Sequence, residues 1–166
     1  MSQQTLKDVQ EYYGTILQSN QDLKTSACCT VESMPEHLKF LLKNVNDSVQ
    51  SKFYGCGSPI PSALDGCSVL DLGCGTGRDA YVLSQLVGEN GSVIGVDMTD
   101  EQLSVANQNL EWHMEKFGYK KPNTRFIKAY IEDLKHAELE DNSVDLVISN
   151  CVINLSPDKE SVFSEI

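Results

Sequence analysis

Three groups of residues in this chain have types and spacings suited to chemistry. The first is VLDLGCGTG at residues 69–77, an apolar run carrying Asp71 and followed by Gly73, Gly75 and Gly77 at alternate positions. The second is GVD at residues 95–97, where another apolar run ends in Asp97, 20 residues past Gly77. The third is a scattered set of cysteines, among them Cys28, Cys56 and Cys151. Alternating glycines permit a tight turn and close approach of a ligand to the backbone. A carboxylate at the end of the following strand can accept hydrogen bonds from both hydroxyls of a ribose. The order strand, glycine turn, helix, strand, acid therefore predicts a pocket for an adenosine-bearing ligand. The spacing is GxGxG, and Arg78 stands where the dinucleotide fingerprint has its last glycine, which disfavours a flavin or nicotinamide.

The stretch VLDLGCGTG resembles the first motif of class I S-adenosylmethionine-dependent methyltransferases. That resemblance implies S-adenosylmethionine as cofactor. Its methionine moiety would lie along Asp71 and the glycine turn, and its ribose on Asp97. Met98 would pack near the adenine, Ile131 and Glu132 at the adenine edge, and Asn150 beside the transferred methyl. Enzymes of this class share the cofactor half and differ in the acceptor half. Where methyltransferases of planar amino groups carry an Asn-Pro-Pro-aromatic stretch, this chain reads SNCVINL at residues 149–155. A thiol, Cys151, takes the place of the first proline.

Cys56 lies in FYGCG, with a glycine on each side to let the chain bend, and Cys28 lies in a long polar segment. YYG, FYGCG, LDLGCGTGRDAYVLSQLVGE, GVDMT, HMEKFGY, YIEDL and SNCVINLSPDK together resemble the arsenite methyltransferases of animals along essentially the whole chain. The resemblance implies trivalent arsenic bound by Cys28, Cys56 and Cys151, with Cys29 as the alternative to Cys28. Arsenic(III) is soft and selects thiolates. Three sulfurs leave a lone pair at the open apex. Aligning that lone pair with an electrophilic methyl is worth about 7–11 kcal/mol in effective molarity. The lone pair carries no proton, so no general base is required. Arsenic is expected as a glutathione or other thiol complex, with an external reductant of thioredoxin or glutathione type. Taken singly, each cysteine reads as packing. Zinc is disfavoured, because adjacent Cys28 and Cys29 lack CxxC spacing and no paired histidines accompany them. Cys67 and Cys74 read as structural, and His37, His113 and His136 receive no chemistry. The charged run from 132 to 145 reads as a solvated face apart from Glu132.

The elements that position these residues follow from periodicity. Residues 6–17 form an amphipathic helix, 20–34 a loop and 35–53 a second helix; GCGSPIP at 55–61 then breaks the chain. Strands follow at CSVLDL, SVIGVD, TRFIKAY and SVDLVIS, alternating with helices. Thr99 and Gln102 predict a capping box for the helix reaching about residue 117, and Ser156–Pro157 the start of another. The fold class is α/β: a doubly wound parallel sheet, Rossmann-like. It divides into an N-terminal helical and loop segment (1–61) carrying arsenic-binding cysteines and a cofactor-binding domain (62–166). The class has a seven-stranded sheet, so four strands imply an incomplete one, with the fourth strand exposed as an edge. The family's further arsenic-binding cysteine has no counterpart here.

Composition sets the remaining bounds. The 166 residues are 40% hydrophobic and 22% charged, with a net charge of -11. Such acidity disfavours nucleic acid and anionic membranes as partners. Neither a signal peptide nor a membrane span is evident. Six cysteines without such a signal read as reduced thiols in a cytoplasmic, cytosolic monomer. Two other readings stand beside arsenite methylation: a methyltransferase of this fold acting on another small molecule, and a non-catalytic product binding cofactor or arsenic.

Overall fold

The structure is a computed structural model and describes residues 2–17, 19, 22, 34–137 and 139–166. Cys28 and Cys29 lie outside the described residues, as does most of the expected 20–34 loop. Helix α1 (Ser2–Glu11) runs into a π-helical turn at Tyr12–Ile16. The predicted second helix is two, α2 (Glu36–Leu42) and α3 (Asp47–Gln50). It breaks because Asn46 is extended and caps α3, its side chain accepting from Ser48 N.

Four strands follow: β1 (Ser68–Leu72), β2 (Ser92–Asp97), β3 (Thr124–Lys128) and β4 (Leu146–Ser149). They form one sheet in the order β3-β2-β1-β4, and every pairing is parallel. Parallel strands require crossovers. Helix α4 (Arg78–Val87) joins β1 to β2, and α5 (Asp100–Gln108) with α6 (Leu110–Phe117) joins β2 to β3. The single expected helix after Thr99 is interrupted at Asn109, and Gly118 in the left-handed region ends α6. A short final helix, α7 (Lys159–Glu165), starts at Asp158 rather than Ser156, because the Asp158 carboxylate accepts from Ser161 N.

The two central strands are almost wholly buried, which explains their continuous apolar runs. One core lies on one side of the sheet and joins Leu38, Leu42, Val45 and Val49 to Val69, Tyr81, Leu83 and Val93. The helices of residues 36–50 thus share a core with the sheet. A second core joins Leu70, Leu72, Ile94, Val96, Ile131 and Val162. His113 is fully buried and stacked on Tyr81 at 3.5 Å, so it is a packing residue. Its Nδ1 donates to Asn109 O and its Nε2 accepts from Asn46 N, the tautomer these partners require. The order in which strands are added reverses at β1: β2 and β3 lie to one side of it and β4 to the other, all pointing the same way. A crevice at the carboxyl ends of these strands is where such sheets bind ligands.

Candidate active site

A cavity opens at that place. It is lined by the glycine turn, Asp71, Asp97, Met98, Ile131, Glu132, Asn150 and Cys151, and also by Tyr13, Tyr54 and Gln102. The glycine turn is secured from several sides. Gly73 N and Cys74 N donate to Val96 O at 2.8 and 3.0 Å. Gly75 N donates to Asp97 Oδ2 at 2.9 Å, and Thr76 Oγ1 to Val49 O at 2.8 Å. Gly73, Gly75 and Gly77 all have positive φ. Their surroundings differ, however. A Cβ at Gly73 would lie 2.3 Å from Val152 Cγ2, and one at Gly77 2.7 Å from the Phe126 ring. At Gly75 the nearest neighbour is Gln102 Oε1 at 3.6 Å. Of the three, Gly75 alone leaves room for a ligand, while Gly73 and Gly77 admit protein side chains.

The cavity is acidic. Burial pushes the Asp71 carboxyl well above its ordinary range, reinforced by Asp79 and Asp97 and opposed by Arg78. Burial also raises Asp97, against the lowering effect of the amides of Gly75 and Thr99. Two buried oxygens, Asp71 Oδ2 and Gln102 Oε1, have no hydrogen-bond partner among the described residues. Buried acceptors left open in a cavity call for donors from a ligand.

The capping box expected from Thr99 and Gln102 does not form. Gln102 Nε2 donates to Tyr13 O at 2.9 Å, and Thr99 makes no side-chain cap bond. The Thr99 amide donates instead to Asp97 Oδ1 at 2.9 Å. Gln102 on Tyr13 O, together with Gln10 Nε2 donating to Met98 O at 2.8 Å, holds the π-helical turn and α1 over the cavity. Sequence reasoning missed Gln102, Tyr13 and Tyr54; YYG and FYG were the available signals, since paired aromatics near glycines suit a ligand mouth.

On the acceptor side, Cys151 follows β4 and lines the cavity. Its φ is 59°, a left-handed conformation that non-glycine residues seldom adopt and that clusters at functional sites. Cys56 is tied to the residue before Cys151, Cys56 N donating to Asn150 Oδ1 at 3.0 Å, while Gly55 and not Cys56 lines the cavity. Gly55 lets this loop close on Asn150, whose Cγ would be 2.9 Å from a Cβ at that position. The bend predicted to wrap a small ligand wraps Asn150. Cys67, Cys74 and Cys151 are free, whereas Cys56 is disulfide-bonded, which corrects the expectation that all six cysteines are reduced thiols. Cys74 is buried and its thiol is pushed well up by burial, in keeping with a structural role. Ser156 Oγ donates to Glu132 and accepts from Asp158 N at 3.1 Å, so it fixes the residue that caps α7 and does not itself cap the helix. Among the described residues no group of three His, Cys, Asp or Glu is arranged to hold a metal.

A parallel sheet whose strand order reverses at β1, a glycine turn locked to Asp97 and an acidic crevice above them define a Rossmann-like class I methyltransferase fold. Residues 63–166 match the family model described as "Methyltransferase domain", and the chain belongs to that family. It is 59% identical over 159 residues to an arsenite methyltransferase of Aquipseudomonas alcaligenes, covering 96% of this chain and 45% of the relative. It is 51% identical over 160 residues to the human arsenite methyltransferase, covering 96% and 43%. The chain thus spans under half the length of these relatives. The solved structure of CrArsM, an arsenic(III) S-adenosylmethionine methyltransferase from Chlamydomonas reinhardtii, is similar at a TM-score of 0.77 and 56% identity, over 79% of this chain and 44% of that one.

Proposed function

We propose that this chain forms the cofactor-binding part of an S-adenosylmethionine-dependent arsenite methyltransferase. The observation that carries the reading is Cys151, held in a left-handed conformation at the end of β4 on the wall of the same cavity as the glycine turn. The names of the relatives and of the similar solved structure support it.

The residues present fit the cofactor. S-adenosylmethionine is cationic at its ammonium and sulfonium and rich in donors. Among the described residues, Asp71 Oδ2 and Gln102 Oε1 are unpartnered acceptors in an acidic cavity. Asp71 and the turn at Gly75 would hold the methionine end, with Gly73 and Gly77 shaping that turn, and Asp97 would hold the ribose. Met98, Ile131 and Glu132 would enclose the adenine, with Asn150 at the reacting end. When bound, the cofactor supplies an electrophilic methyl group. Cys28, Cys56 and Cys151 would hold trivalent arsenic, leaving its lone pair free at the apex.

Thiolates are the binding form, and Cys56 is disulfide-bonded. An external thiol reductant, of thioredoxin or glutathione type, would therefore have to open that bond before arsenic enters as a thiol complex. A reducing cytosolic location suits this requirement. Among the described residues no helix is long and apolar enough to cross a membrane. We place the N-terminal segment (1–61) and the cofactor-binding domain (62–166) in one monomer, with the first segment supplying two of the three sulfurs.

The reading is tested by arsenic speciation after incubation with arsenite, labelled S-adenosylmethionine and a thiol, comparing the natural chain with Cys56→Ser and Cys151→Ser. Labelled methylarsenicals should form with the natural chain and vanish with either variant. Undiminished methylation by both variants would overturn the arsenic assignment.

A further inference from the structure

Arg78 is not part of the cavity wall, yet it is 95% buried, with only 5% of its surface exposed. A buried guanidinium is costly unless every donor is matched. Here Nε donates to Asp79 Oδ1 at 2.9 Å, Nη2 lies 2.7 Å from the same oxygen, and Nη2 also donates to Gly57 O at 3.2 Å. The guanidinium carbon stacks 3.1 Å above the centre of the Phe53 ring. The other oxygen of Asp79 accepts from Asn150 Nδ2 at 2.9 Å, and Asn150 Oδ1 accepts from Cys56 N at 3.0 Å.

These contacts close a ring. Phe53 and Gly57 flank Cys56 and are both gripped by Arg78. Asn150 precedes Cys151 and is joined both to Asp79 and to Cys56. The ion pair stands in the first turn of α4, directly after the glycine turn. One buried pair therefore touches both sides of Cys56 and, through one amide side chain, the residue before Cys151. Packing alone would be served by an apolar pair at lower desolvation cost.

We propose that the Arg78–Asp79 pair is a positioning device that sets Cys56 relative to Cys151, acting through Phe53, Gly57 and Asn150. This rests on the arsenic-binding reading above. Arg78 does not line the cavity and acts only through these neighbours. A planar fork that both pairs with a carboxylate and stacks on a ring is a role lysine cannot reproduce.

The test uses Arg78→Met and Arg78→Lys in the full 166-residue chain after reduction. Three quantities are measured: S-adenosylmethionine affinity by calorimetry, arsenite affinity, and the alkylation rate of Cys56 by mass spectrometry. In Arg78→Met, arsenite affinity should fall at least about tenfold, the scale of a lost charge-assisted bond, and by clearly more than S-adenosylmethionine affinity, which feels Arg78 only through Asn150 and the charge near Asp71. Cys56 should alkylate faster by a similar factor. Arg78→Lys should shift both quantities in the same direction by less, and it carries the test if the methionine variant does not fold. Equal losses of both affinities, or unchanged Cys56 alkylation, would overturn the proposal. If the natural chain fails to bind arsenite, the function above falls, while the alkylation ratio still decides whether Arg78 positions Cys56.

Discussion

The amide of Gly75 donates to the carboxylate of Asp97 at 2.9 Å, joining the turn after β1 to the last residue of β2. The residue expected to receive a ribose is thus also the anchor of the turn expected to receive the methionine. A second oxygen of the same carboxylate fixes the entry to α5 through Thr99 N. Removing Asp97 should therefore loosen two walls of the cavity at once. Asp97→Ala should weaken S-adenosylmethionine binding by about 10- to 100-fold, equivalent to about 1.4–2.8 kcal/mol. Isothermal calorimetry measures this; unchanged affinity refutes the assignment.

Gly73 and Gly75 should fail differently when replaced. Gly73→Ala drives a Cβ to 2.3 Å from Val152 at a φ of 73°, so thermal stability should drop by several degrees. Gly75→Ala meets nothing closer than 3.6 Å and carries only the left-handed penalty of about 1–2 kcal/mol. Its new methyl instead occupies ligand space. Cofactor affinity should fall disproportionately in Gly75→Ala, and thermal melts with and without S-adenosylmethionine separate the two effects.

Cys151 combines strain with a proposed chemical role. At a φ of 59°, glycine removes a penalty of about 1–2 kcal/mol, less the flexibility glycine adds to the unfolded chain. Cys151→Gly should match or exceed Cys151→Ser in stability, while both lose arsenite methylation. Chemical denaturation compares them; a glycine variant clearly less stable than the serine variant would contradict strain at this position.

The buried imidazole of His113 predicts a pH response of stability. Burial lowers its pKa from the ordinary 6.5 to about 4, against the raising effect of Asn109 O. The unfolded chain therefore takes up a proton where the folded chain does not. This contribution is fully present above pH 6.5 and is lost as pH falls from 6.5 toward about 4. Asp71, raised in the folded state, acts in the opposite sense: its contribution is greatest at low pH and declines as pH rises. Denaturation midpoints of the natural chain and of His113→Phe at pH 5 and 7.5 should differ less in the variant.

The strands were legible because central parallel strands are buried on both faces and read as unbroken apolar runs. The glycine turn and Asp97 were legible for the same local reason: strand, turn and acid follow one another in order. The apolar spacing of residues 35–53 continues through Asn46 and predicts one helix, while the interruption depends on a side-chain cap and on His113, 67 residues away. The capping box at Thr99 had the right residues. It failed because Gln102 finds Tyr13 O, a partner 89 residues away.

By itself the sequence determined the sheet, the direction of its crossovers and the half of the site that faces a nucleotide-like ligand, since neighbours in the chain encode those features. The tertiary structure decided which glycine faces the cavity, that Gln102 holds down the N-terminal turn, and that Asn150 bridges Asp79 and Cys56 across separations of 71 and 94 residues. Hydrogen bonds between buried polar groups depend on what the folded chain brings within 3 Å. No spacing along the chain expresses that, and it is why Arg78, first noticed as a departure from a glycine pattern, emerges as the anchor of the Cys56 loop.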